Sequence, residues 1–469
     1  MSLTANGVTL SVVGDGDTQR IRAAAAQEQL LSPFEGVPAG AGEGSALEGP
    51  LSARNAAAIR ACLPWLAPRP VGLRTSAGVG DRLGLATPGH VEAFRASGQG
   101  VAPVFAQQSA RELDRLGRAP QDVLDAATFG CLKASWEQPV GADADHLKTA
   151  DDIDRFLQAG FTTFTLDPGD SVTGGTSGSA PEIPWAALED DPRSMVRRYS
   201  AVEIEVGGTR LAFPADELHA AAAKYGAAIV TATRLYRHLM GTATGEIEVE
   251  IAVDETDQPT TPLEHAYMAT EMKRLGLHWV GFAPRYVGEF EKGVEYIGSV
   301  GELRRSIAAH AAVARALGPY KLSLHSASDK FSIYDDVAAA TSGLVHVKTS
   351  GTSYLVALQV AAASSPELFR RIYSASRSAY LSSRASYHVS AALERTAAPE
   401  ELPDHRLLEV VNAPESRQIL HVGYAAALSD PATRTGLRQL LGAQEAEYAS
   451  QLKLHIGRHL TPFSRMSAA

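Results

Sequence analysis

The chain predicts an α/β fold, a (β/α)8 TIM-type barrel, on three observations. Eight short apolar runs ending in polar, ligand-like residues recur between positions 70 and 350. The stretches between them read as helices that end at or near a glycine, the usual stop after a helix. Strand followed by helix, repeated, requires parallel pairing with right-handed crossovers, and eight such units close into a barrel.

In chain order, residues 1–66 form an Ala- and Gly-rich N-terminal extension, with EGVPAGAGEGSALEGP expected as a loop and SARNAAAIRACLPWL as a helix. The barrel spans 67–351. Its strands are expected within PVGLRTSAGVGDRLG, VAPVFAQQS, PVGADADHLKT, FTTFTLDPGD, EVEIAVDETD, HWVGFAPRYVGEF, KLSLHSASDK and LVHVKTSGTS. Helices follow in TPGHVEAFRASG, SARELDRLG, HLKTADDIDRFLQAG, ADELHAAAAKYGAA, TPLEHAYMATEMKRLG and VGELRRSIAAHAAVARALG. GGTSGSAPEIPWAALEDD is a long insertion after the fourth strand, of the kind that forms lids on barrels. Residues 352–469 carry helical patterns only and are expected to pack over the barrel as a C-terminal extension.

Composition narrows the function. Hydrophobic residues make up 45% and charged residues 20%, ordinary values for a soluble globular protein. With 43 basic and 53 acidic residues the net charge is −10, so nothing invites a nucleic-acid backbone, and an anionic substrate needs a local basic pocket. Cys62 and Cys131 are the two cysteines, too few for a disulfide framework or a cysteine-rich metal site. There is no signal-peptide pattern and no apolar stretch approaching the roughly 20 residues that span a bilayer, so the expected location is the cytoplasm. A small molecule is the expected partner, and a homo-oligomer is compatible with the sequence.

Chemistry collects at the strand ends. GADADHLKT places Asp143, Asp145, His146 and Lys148 together, more than the helix cap that Asp145 alone would explain. KLSLHSASDK ends in His325 and LVHVKTSG contains His346. With Leu322, Leu324, Val345 and Val347 facing the helices, alternation turns His325, His346 and Lys348 into the barrel. A lone inward histidine is more often a hydrogen-bonded core residue. Two on consecutive strands, with His146 from a third, point to a three-histidine metal site with positions open for substrate. EVEIAVDETD supplies Asp254 and Glu255; alternation favours Asp254 inward, but strand ends twist or bulge, so either carboxylate can face the mouth. Asp167, closing FTTFTLD, is a further carboxylate candidate. Arg285, Glu289 and Lys292 follow in APRYVGEFEKG and Lys330 in SASDK; together with Lys348 they could make a basic pocket for a carboxylate or phosphate, and surface ion pairs would explain any one of them equally well.

Two weak motifs point nowhere. In GVGDRLG the spacing of Gly78, Gly80 and Gly84 is one residue too long for a dinucleotide fingerprint, and GGTSGS lacks the GK[ST] ending of a phosphate loop.

Taken together, VGDRLGLATPGH, FAQQSARE, VGADADHLKT, VDETDQPTTPLEH, APRYVGEFEKGVEYIG, LHSASDKFSIY and HVKTSGTSYLVAL resemble the tagaturonate epimerases of hexuronate catabolism over roughly residues 70 to 430. The resemblance implies a metal-dependent isomerase interconverting D-tagaturonate and D-fructuronate; some relatives interconvert fructose and tagatose instead. Joined to the residue reading, this assigns a divalent ion (Zn, Mn, Co or Ni) to His146, His325 and His346, an acid–base pair to Asp145 and Glu255, and substrate contacts to Gln107, Arg285, Lys330 and Lys348. The chemistry is self-consistent. The two sugars differ at a carbon beta to the ketone, where simple deprotonation leaves an unstabilised anion. Retro-aldol cleavage and re-addition to the other face of the aldehyde avoids that anion; direct deprotonation between two fixed acids would use the same residues. The rivals are a metal-dependent sugar-acid aldolase, which would release two fragments, and a non-catalytic sugar-binding barrel.

Overall fold

The computed structural model describes residues 2–40, 44–174 and 182–465. Each of the eight apolar runs contributes one strand: Ser76–Val79, Ala102–Ser109, Gly141–Leu147, Thr163–Leu166, Glu248–Ala252, Gly281–Ala283, Lys321–Leu324 and Val345–Thr349. They form a closed barrel of parallel neighbours. Closure brings the eighth strand beside the first, with His346 opposite Ser76 and Lys348 opposite Gly78. The fold is the expected (β/α)8 barrel.

The barrel interior is polar where many such barrels are filled with branched aliphatics. Glu248 accepts bonds from Thr163 Oγ1 and the amides of Val71 and Gly72, and Lys321 donates to Ser76 Oγ at 3.0 Å. Outward-facing Val249, Ile251, Leu322, Leu324, Val345 and Val347 are buried under the helices, so alternation held on those three strands.

The N-terminal extension corrects one expectation. Part of the segment read as a loop forms two strands, Val37–Ala39 and Ser45–Gly49, of an antiparallel five-stranded sheet with Leu3–Ala5, Val8–Val13 and Arg20–Ala25. Val8, Leu10, Ile21 and Ala23 are its buried face, alternating with exposed or half-buried neighbours. The helix expected next is Ala53–Cys62, capped by Ser52.

Helices fill the region after the eighth strand, as expected, from Thr352–Ser364 to Glu445–Ser464. The last lies against Thr87–Ser97, the helix after the first strand. Gly89 permits the close approach: a Cβ there would come within 2.7 Å of Leu452 Cβ. Beyond the fourth strand the insertion is followed by helix Pro192–Tyr199, a short hairpin and the 28-residue helix Ala215–Thr242, which holds the expected ADELHAAAAKYGAA helix. Residues 175–181, part of the expected lid, lie outside the described residues. Among the described residues, no helix is long and apolar enough to cross a membrane.

Candidate active site

The third strand delivers two consecutive functional residues to the mouth. Alternation alone would send Asp145 inward and His146 outward. Instead His146 adopts φ +51, and the pairing with the fourth strand shifts register between Ala144 and Leu147. A bulge of this kind re-aims a side chain beside a site. The helix after this strand is capped by Thr149, whose hydroxyl accepts from Asp152 N, so Asp145 is free of the capping role.

Two histidines from different strands meet there, His146 and His325, each anchored through one nitrogen. His146 Nδ1 is 2.9 Å from Asp167 Oδ2, and His325 Nε2 is 2.6 Å from Glu250 Oε1. A carboxylate accepts only, so each anchoring nitrogen carries the hydrogen. The other two nitrogens, His146 Nε2 and His325 Nδ1, face one another at 3.3 Å. Asp254 Oδ1 stands 3.1 Å from His325 Nδ1, buried and without a well-aligned donor. Asp145 Oδ1 lies 4.0 Å from His146 Nε2. Two lone pairs and a carboxylate oxygen thus point at one another, an arrangement that calls for a proton or a cation between them.

The field agrees. Burial alone would lower the basicity of both rings, but Asp145 and Glu255 hold His146 up at about 10, and Asp254 holds His325 up at about 9. A cluster that pulls protons onto two buried imidazoles offers the same attraction to a metal ion, with the carboxylates behind the rings fixing their orientation. The converging groups among the described residues are Asp145–His146–His325, His146–Asp167–Glu255 and, elsewhere, Asp329–His455–His459.

The carboxylates flanking His146 are both ionised. Burial would raise Asp145, but the ammonium of Lys348, and then His146 and His325, hold it well below the usual carboxylate range. Glu255, partly exposed, is held low by His146, Lys292 and Arg111 against its own desolvation; its Oε1 lies 3.0 Å from Arg111.

The structure redistributes several expected roles. His346 does face inward, but it lies outside the converging groups: its Nδ1 is 2.8 Å from Ser76 Oγ and its Nε2 3.8 Å from Asp143. Lys348 is buried between Asp143 and Asp145, both at 2.8 Å, and Glu250 at 2.9 Å, so its three donors are already taken. Lys330 gives its ammonium to the backbone carbonyls of Glu291, Val294 and Ser328. Arg285 clasps its own loop through the carbonyls of Thr256, Tyr286 and Gly288 and through Glu289. Neither Lys330 nor Arg285 lines the mouth pocket.

Gln107 does line it, with both amide atoms buried and unpartnered. Gly78 makes the room, since a Cβ there would meet Gln107 Oε1 at 2.6 Å. Lys292 also lines the pocket; it donates to Ser326 Oγ at 2.5 Å and has no carboxylate within ion-pair distance among the described residues. Sequence reading named Asp254 and Lys292 as candidates but passed over Glu250, which was findable as an acid at an inward position of the run that also carries Asp254. Tyr387 and His421, which close the pocket from the C-terminal helices, carry no motif.

A parallel barrel with a histidine–carboxylate cluster at the C-terminal mouth, an acid on either side and an unpartnered amide facing it, is the active-site layout of a barrel enzyme. The model of the tagaturonate epimerase family, UxaE, matches residues 5–463. A tagaturonate/fructuronate epimerase of Thermotoga maritima is 39% identical over 407 residues, 87% of this chain and 84% of that protein. Crystal structures of the fructuronate-tagaturonate epimerase of Cohnella laeviribosi superpose with TM-scores of 0.89 (one glycerol bound) and 0.86 (native), at 32% and 30% identity. In both cases 98% of this chain and 95% of that chain are covered. The chain belongs to the tagaturonate epimerase family and is an isomerase.

Proposed function

We propose that the chain is a metal-dependent, cytoplasmic epimerase interconverting tagaturonate and fructuronate. The observation that carries the metal is the pair of facing nitrogens, His146 Nε2 and His325 Nδ1, each backed by a carboxylate and joined by the orphaned Asp254 Oδ1. Asp254, like His346, lies outside the three converging groups, but its Oδ1 is 3.1 Å from His325 Nδ1, and on that contact the place first given to His346 passes to it. Two neutral imidazoles and one carboxylate leave a divalent ion with net positive charge and open positions, and when bound it would stabilise the oxyanion that develops on the substrate.

The protein groups divide the remaining work. Lys348 keeps Asp145 ionised, so Asp145 can take a hydroxyl proton from one side of the sugar. Glu255 stands across His146, where it can exchange a proton with the alkoxide of the opposite stereochemistry. Retro-aldol cleavage and re-addition uses both in turn, each carboxylate serving one epimer. Gln107 supplies an amide to a substrate hydroxyl or carbonyl. Lys292 is the pocket cation without an acid partner, and it takes the uronate carboxylate in place of Arg285 and Lys330.

The test is turnover of tagaturonate and of tagatose, side by side, by stripped protein and after addition of Zn, Mn, Co or Ni. Activity on tagaturonate that returns with a metal, giving six-carbon products alone, is expected; three-carbon fragments would mark an aldolase. A Lys292→Met variant should lose roughly ten- to a hundredfold in kcat/KM on the uronate, the worth of one charged hydrogen bond, and much less on tagatose. Equal losses on both sugars would remove Lys292 from carboxylate recognition.

A further inference from the structure

A second cavity, of about 670 Å3, lies outside the barrel mouth, between the loop after the first strand, helix Pro120–Lys133 and the C-terminal helices. That volume suits a small organic molecule. Six basic and three acidic residues line it, and each acid is already engaged. Asp125 pairs with Arg60 at 2.8 Å, Glu445 with Lys133 at 2.5 Å, and Asp122 accepts the amide of Ala119 at 2.8 Å.

Of the five arginines, only Arg82 has a carboxylate within ion-pair distance among the described residues; Arg118 and Arg438 are the two unpaired ones that hold the loop after the first strand. Arg118 donates to the carbonyls of Asp81 and Asp122, at 2.7 and 3.3 Å, and Arg438 to that of Leu83. Carbonyl dipoles leave both guanidinium groups without a direct carboxylate partner. The two feel each other: burial pushes Arg118 down and the charge of Arg438 adds to it, against the pull of Asp81 and Asp122. Like charges held together at a cavity wall favour an anion, and planar guanidinium forks match a phosphate geometrically. Leu83, Leu85 and Phe129 add an apolar wall beside them, surface that an inorganic ion would leave bare.

We propose that this cavity binds a small organic phosphate, its phosphoryl group between Arg118 and Arg438 and its body against Leu83, Leu85 and Phe129. The site is wired to the barrel. Both arginines grip the segment Asp81–Leu83, and Arg82 within it reaches Glu112 and the carbonyl of His421, two residues that line the mouth pocket. This gives the GVGDRLG segment a role that no nucleotide fingerprint supplied.

Calorimetric titration of the full-length protein with AMP, fructose 6-phosphate and inorganic phosphate tests the site and separates a nucleotide from a sugar phosphate. At least one organic phosphate should bind with Kd below about 1 mM and at least about tenfold more tightly than inorganic phosphate. Arg118→Met and Arg438→Met should each weaken it by about tenfold or more. The same ligand should slow amide hydrogen exchange over residues 81–86 of the unmodified protein, a readout that holds even where a variant folds poorly. Four results would each overturn the proposal: no organic phosphate binding, inorganic phosphate binding equally well, unchanged exchange over 81–86, or competition with tagaturonate for one site.

Discussion

Two clusters in this protein bring one aspartate and two histidines to a point, each with its ligand-type atoms within 4.8 Å of one another, and they are wired in opposite ways. At the mouth, His146 and His325 are anchored from behind by Asp167 and Glu250, which leaves one lone pair on each ring pointing forward. In the Asp329–His455–His459 cluster, His459 has none left. Its Nδ1 donates to the carbonyl of His455 at 2.9 Å and its Nε2 accepts the amide of Asp329 at 3.0 Å. Asp329 is itself held by Arg417 through Oδ2 at 2.8 Å; its Oδ1, like that of Asp254, lacks a well-aligned donor and faces His455 Nε2 at 2.9 Å, a nitrogen already 2.7 Å from Thr352 Oγ1. The second cluster is a clasp between the loop after the seventh strand and two C-terminal helices. Residue type and proximity are alike in the two; which nitrogen is already in use is what separates the proposed cation site from a tie.

The comparison breaks most sharply on removal of a histidine. His325→Ala should abolish bound metal and lower turnover by at least about 10^4-fold, the several kcal/mol of charge stabilisation a metal supplies. His459→Ala should leave metal content as it is, lowering thermal stability because the amide of Asp329 loses its acceptor. Metal analysis of both purified variants checks this, and loss of metal in His459→Ala would move the cation site to the other cluster.

A smaller effect separates the mouth carboxylates from the ligands beside them. Asp145→Asn and Glu255→Gln should each lose roughly 10^2–10^4-fold in turnover, the usual contribution of a positioned acid or base, with metal retained. Asp254→Asn should lose metal as well. If Asp254→Asn keeps its metal and Glu255→Gln is nearly normal, the acid–base role belongs to Asp254.

Much of this was legible in the sequence, for identifiable reasons. All eight barrel strands were marked because each couples an apolar run to a polar end, and alternation placed His325, His346, Lys348 and Asp254 inward. Alternation gives the face of a strand but not the height along the barrel, so it could not show that His346 sits beside Ser76, away from the His146–His325 cluster. Nor could it foresee the bulge at His146, where a positive φ overrides the period of two. Lys330 and Arg285 looked like anion binders because charge is visible in a sequence and the carbonyls that satisfy it are not. The N-terminal sheet was missed although VTLSVV and RIRAAA alternate, because the Gly- and Ala-rich segment after them reads more strongly as loop.

The least disruptive test uses acid to tell the two clusters apart. His459 must stay neutral, since a protonated Nε2 would face the Asp329 amide donor to donor. Burial, followed by the charge of His455, pushes it down to about 3 from an ordinary value near 6.5. Its folded-state pKa is therefore below its unfolded one, and between about pH 6.5 and 3 the unfolded chain binds a proton that the folded chain does not. Stability from this group is complete above pH 6.5 and falls as pH drops through that window, by up to about 1.4 kcal/mol per pH unit. The mouth histidines run the other way, because His146 and His325 are raised. In metal-free protein their contribution is fully present below pH 6.5 and declines as pH rises through about 9 to 10. His459→Gln keeps an acceptor for the amide and cannot titrate. Urea unfolding of parent and variant at pH 7, 6 and 5 should show a shallower acid loss in the variant. His90 and His310, also buried and held near 4, titrate in both proteins and cancel in the difference. Identical slopes would mean that His459 is not held neutral in the fold, and the clasp would then have to be reconsidered as a second cation site.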